Sequence, residues 1–90
     1  LKDGVALEVT QAYLDLHEAH DRIGVALTAV HQAEENYRTS YEKYREGLLL
    51  TSDLLDANSD LLRARVSHTQ ALVDYEIGLA RLERSIGKAQ

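Results

Sequence analysis

From residue 5 to residue 44 the apolar positions of this chain recur every seven residues. Val9, Leu16, Ile23, Val30, Tyr37 and Tyr44 fall at one heptad position, a, and Val5, Ala12, Ala19, Ala26, Ala33 and Ser40 at the other, d. The three-four alternation holds for about six heptads, beyond the three or four that mark a coiled coil. It lapses, then resumes with Leu54, Leu61, His68, Tyr75 and Leu82 at a and Ala57, Ala64, Ala71, Gly78 and Ser85 at d. Both runs set a large a residue against a small d residue. Small residues let two backbones approach closely, and the large residues of one helix cover the small ones of the other. Between the runs, Gly47 suits the positive φ of the residue that follows a helix. Thr51 or Ser52 is expected to cap the next helix, with Asp53 in its first turn, where the helix dipole favours an anion. Glu18–Arg22 and Glu34–Arg38 are spaced to pair along the first helix. The pattern predicts an all-α fold: one long antiparallel two-helix coiled-coil hairpin, with a helix over 3–46, a tip at 47–51 and a helix over 52–87. At 1.5 Å per residue the first arm is about 65 Å long.

Such a hairpin should want neighbours. Roughly twenty seam residues bury too little apolar area to offset the ordering of the whole chain. A second apolar stripe, Leu55, Leu62, Val66, Val73, Ile77 and Ala80, lies off the seam of the returning helix, and Leu7, Leu14 and Val25 add apolar surface to the first. A hairpin packed only on itself needs one stripe. Two stripes predict a sheet or closed ring of helices or a four-helix dimer, or else a place inside an ordinary bundle.

Composition narrows the functional classes. The 90 residues include no Pro and five Gly, which favours long helices. Without Cys there is no disulfide framework and no Cys-based zinc site. Ten basic residues against fifteen acidic ones give a formal charge of −5, and no basic stripe offers itself to nucleic acid. No apolar run approaches the ~20 residues of a membrane span, so the segment itself is not expected to cross one. It begins at Leu1 rather than Met and is read as a piece of a longer protein.

The middle of the chain carries the most specific signal. Tyr44-Arg45-Glu46-Gly47-Leu48, then Asp53-Leu54-Leu55-Asp56-Ala57, then Leu61, Ala64, Ala71, Tyr75, Leu79, Leu82 and Gly87, resemble the outer-membrane efflux protein family typified by TolC. In that family a helix ends in Tyr-x-x-Gly, a short tip follows, and Asp-Val/Leu-Leu-Asp-Ala opens the return. Val9–Leu16 and Gln32–Tyr37 also fit its descending helix, so the likeness covers nearly the whole chain. The resemblance implies a homotrimer in the full-length protein, with a transmembrane β-barrel and a long periplasmic α-barrel. This chain would supply one hairpin of that α-barrel, looking more like the second repeat than the first. The implied function is passive: an exit duct in the outer membrane for drugs, toxins or metal ions. An inner-membrane pump supplies the energy, joined to the duct by a periplasmic adaptor (membrane fusion) protein. As an isolated piece the hairpin is expected to dimerise through its spare stripes. The alternative is a stand-alone structural or chaperone-like coiled coil that binds partners along its length.

The resemblance places function at the tip, Gly47, Leu48, Leu49, Leu50 and Thr51. Three leucines at an apex would form an apolar knob for the adaptor; or they fold back over Tyr41, Tyr44 and Leu54 and only seal the hairpin. Where the family often has a Thr three residues after the Gly, this chain has Leu50, so the helix cap is expected to be moved by one residue or weakened. Leu49 stands where the TolC type has a basic residue. Asp53 and Asp56 match aspartates that ring the channel entrance in the family, and equally suit a helix N-terminus. Tyr44 matches the family's tip tyrosine, and as an a residue also packs. His17, His20 and Asp21 share a helical face, but the spacing is one short of His-Glu-x-x-His and no further ligand is identifiable. His68 reads as a polar seam residue. No nucleophile–base pair or phosphate-binding loop stands out, and neither cofactor nor catalysis is expected.

Overall fold

The computed structural model describes residues 2–89, and the side chains of residues 4–87. The protein is an all-α, antiparallel two-helix coiled-coil hairpin. Helix α1 runs Lys2–Arg45 and helix α2 runs Thr51–Ala89. The tip is therefore residues 46–50, one residue earlier than the sequence predicts at both of its edges. Lys43 and Arg45 stand in the last turn of α1 and Asp53 in the first turn of α2, each with the charge that its end of the helix dipole favours. No described helix is long and apolar enough to cross a membrane.

The chain divides into two units, Leu1–Gly24 with Gln70–Gln90, and Val25–Thr69. In the first, Ala12, Ala19, Ala71 and Ser85 are the buried residues, and all four were assigned to d. The larger Leu16, Ile23, Tyr75 and Leu82 are half-buried. This inversion follows from close approach: small residues lie between the backbones, while each large side chain straddles the seam and keeps one flank in water. Gly78 shows how close the approach is. A Cβ placed there would lie 3.4 Å from Leu16 Cδ1 and 3.7 Å from Leu16 Cα. The hydroxyl of Ser85 donates to the Arg81 carbonyl at 3.0 Å, which satisfies the one buried polar side chain among the described residues.

In the second unit, Val30, Ala57 and Leu61 are buried, and Ala26, Ala33, Tyr37, Ser40, Leu54, Ala64 and His68 are half-buried. Of all the positions assigned to the seam, Tyr44 alone is exposed, at 38%. It sits one turn from the tip, where α2 has not yet begun to cover it.

The ion pairs differ from those expected. Arg22 crosses to Asp74 on α2, at 3.9 Å, instead of pairing with Glu18. Glu34 crosses to Arg65, at 3.7 Å, and Arg38 takes Glu35 and Glu42. Glu18–Arg22 and Glu34–Arg38 therefore do not form: Arg22 and Glu34 reach across the seam, and Arg38 is held by other carboxylates of its own helix.

Candidate functional site

The tip begins with a specific backbone device. Gly47 has φ of 76°. Its N–H donates to the Tyr44 carbonyl at 3.0 Å, and the Leu48 N–H donates to the Lys43 carbonyl at 2.9 Å. These two bonds define a Schellman motif, which satisfies the last carbonyls of α1 and turns the chain sharply. Glycine enters the left-handed region without steric cost, and any other residue at position 47 is strained.

The turn sorts the three leucines. Leu48 and Leu50 are each 70% exposed, whereas Leu49 is half-buried. Leu49 is thus the least exposed of the three, and Leu48 and Leu50 face water. Leu7 and Val25 of α1 are exposed to the same degree, at 70% and 72%.

The start of α2 corrects the expected cap. The Leu50 carbonyl accepts from the Asp53 N–H at 3.1 Å and from the Leu54 N–H at 3.2 Å, which makes Leu50 the N-cap residue. Thr51 and Ser52 lie inside the helix and neither caps it. The cap has not moved along the chain. It stays three residues after Gly47, with a side chain that has no oxygen to offer the first N–H groups, so it is weakened. Asp53 occupies the third helical position, and Asp53 and Asp56 are both exposed.

The histidines do not assemble into a site. The His17 ring stacks on Tyr13, centroids 6.5 Å apart, and lies 3.8 Å from Asp21. The His20 ring meets Tyr75 at 5.8 Å. Among the described residues no group of three His, Asp or Glu is placed to hold a metal ion. In the Val25–Thr69 unit an open groove of about 480 Å³ runs over Ala29, Ala33 and Ala64, with Asp60 and Arg63 at its rim.

A feature that heptad reading passes over emerges in the other unit. Gln11 donates to Asp15 at 2.9 Å, and Arg81 donates to the same carboxylate at 3.2 Å. Gln70 donates to Asp74 at 3.0 Å, and Arg22 faces that carboxylate at 3.9 Å. The two clusters are copies. Thr-Gln-Ala-x-x-Asp-x₆-Arg occurs as Thr10, Gln11, Ala12, Asp15, Arg22 and again as Thr69, Gln70, Ala71, Asp74, Arg81, at a constant offset of 59. A comparison of the chain with itself reveals this, whereas a heptad assignment sorts only apolar positions.

Compared with known proteins, the chain matches no family, no curated protein and no solved structure.

Proposed function

We propose that this chain is a periplasmic hairpin of a TolC-like outer-membrane efflux duct, whose tip docks a periplasmic adaptor protein. Through the adaptor it would meet an inner-membrane pump, and as part of a homotrimer it would help to wall the exit path of drugs, toxins or metal ions. In this reading the chain builds and docks and catalyses nothing. The observation that carries the proposal is the tip: Leu48 and Leu50 stand 70% exposed beside a Gly47 turn whose sequence, Tyr44-x-x-Gly47 with Asp53-Leu54-Leu55-Asp56-Ala57 beyond it, resembles the family's tip motif. Tyr44, Asp53 and Asp56 would line the duct entrance, where their exposure leaves them free to meet a neighbouring copy or a passing cation.

The test is Leu48→Ser with Leu50→Ser in the full-length protein. Loss of drug resistance with normal trimer assembly supports docking through these side chains; unchanged resistance refutes it. Leu49→Ser acts as the contrasting variant, since its effect should appear in hairpin stability.

A second reading, a stand-alone coiled coil that binds along its length, is favoured by the exposed Leu55, Leu62, Val66, Val73 and Ile77. The full gene separates the two. A second Tyr-x-x-Gly-x₅-Asp about two hundred residues upstream, with amphipathic strands between, belongs to the duct alone.

A further inference from the structure

The repeated Thr-Gln-Ala-x-x-Asp-x₆-Arg element makes the two arms chemically interchangeable. Asp15 pairs with Arg81 and Asp74 with Arg22. Each partner of one pair is the 59-residue equivalent of the other pair's partner, so a local two-fold axis relates the arms. The same equivalence runs through the seam: Ala12 matches Ala71, Leu16 matches Tyr75, Ala19 matches Gly78 and Ile23 matches Leu82. Leu16 lies against Gly78, and Ala19 is the equivalent small residue on its own arm. Each arm therefore carries both halves of an antiparallel pairing code, the acid and the base as well as the knob and the small residue.

We propose that this element is self-complementary, and that its partner is a second copy of this chain, with α1 pairing α1 and α2 pairing α2 of the other molecule. In the homotypic α1 pair, Asp15 meets the partner's Arg22 twice about a true dyad, and Leu16 rests on the partner's Ala19. In the homotypic α2 pair, Asp74 meets the partner's Arg81, and Tyr75 rests on the partner's Gly78. Within one chain the short tip holds the two arms at high effective concentration, so the hairpin dominates when the protein is dilute. Homotypic pairing takes over as concentration rises. This inference does not depend on the duct proposal, because every residue it uses lies in the Leu1–Gly24 and Gln70–Gln90 unit, away from the tip.

Two charge variants of the full chain separate the pairings. In D74K/R81E the hairpin pairs become like-charged, while both homotypic pairs remain opposite in sign. In R22E/D74K the hairpin pairs remain opposite, while both homotypic pairs become like-charged. An Ala19→Cys reporter, added to each in a chain that has no cysteine of its own, lies beside its counterpart only in the homotypic α1 pair. Disulfide-linked dimer is expected from D74K/R81E at about tenfold lower protein concentration than from R22E/D74K, with helical circular dichroism retained. Reversing all four charges must return the chain to the unmodified curve. Coincident curves for the two double variants overturn the proposal. Loss of helix in D74K/R81E without dimer formation overturns it equally, since homotypic pairing is then unable to replace the hairpin.

Discussion

Leu50 occupies a position where a helix ordinarily asks for a side-chain oxygen. Leu50→Thr would supply one and, with Asp53 three residues on, complete a capping box. The expected result is stabilisation of about 1 kcal/mol in urea unfolding, together with weaker partner docking, because one of the two exposed tip leucines is gone. Those opposite signs distinguish a residue kept for binding from one kept for folding. Glu35 offers a different residue-scale test. A hydrogen bond from Arg38, then its charge, holds the Glu35 carboxyl below the ordinary carboxylate range. A lowered folded-state value contributes stability above the unfolded value and loses it as pH falls through the folded one. Glu35→Gln should therefore lower the unfolding midpoint slightly at neutral pH and converge with the unmodified chain at acid pH. The pair is exposed, so the difference should also shrink in high salt. A difference that persists at acid pH would contradict the assignment.

At the scale of the elements, the heptads carry the fold. Every residue placed at a or d by spacing alone is buried or half-buried, apart from Tyr44. Spacing suffices because a helix presents a fixed face, whichever partner it meets. What spacing leaves open is the register of one helix against the other. That register decides that Arg22 reaches Asp74 and Glu34 reaches Arg65, and the intrahelical pairs read from the sequence give way to these. The tip is similarly half legible. Gly47 announces the turn, but the half-burial of Leu49 and the capping position of Leu50 depend on how the chain leaves that turn and enters α2. Two of the helix glycines give the seam a direct test. Gly24 has nothing within 4 Å of an added Cβ, so Gly24→Ala should stabilise by about 1 kcal/mol through helix propensity. Gly78→Ala should gain less, since its Cβ would meet Leu16 at contact distance. Gly78→Leu should destabilise by about 1–3 kcal/mol through overpacking. Thermal unfolding of the three variants checks the order, and an equal gain at both alanines would contradict the close approach.

At the scale of the whole molecule, the chain exposes more than it hides. Its accessible surface is 6727 Å², roughly 1,400 Å² above the ~5,300 Å² expected of a folded monomer of this mass. The exposed leucines, valines and isoleucines of α2, with Leu7, Leu14 and Val25 of α1, contribute much of its apolar part. In the proposed duct these faces would meet neighbouring hairpins, with the tip left for the adaptor. The claim is tested most directly by placing a photo-activatable amino acid at positions 48, 49 and 50 in turn, in full-length protein in cells that hold the adaptor. The account predicts adaptor adducts from 48 and 50 and little from 49, an alternation set by the Gly47 turn. Adducts absent from both 48 and 50, with the protein assembled, would contradict it.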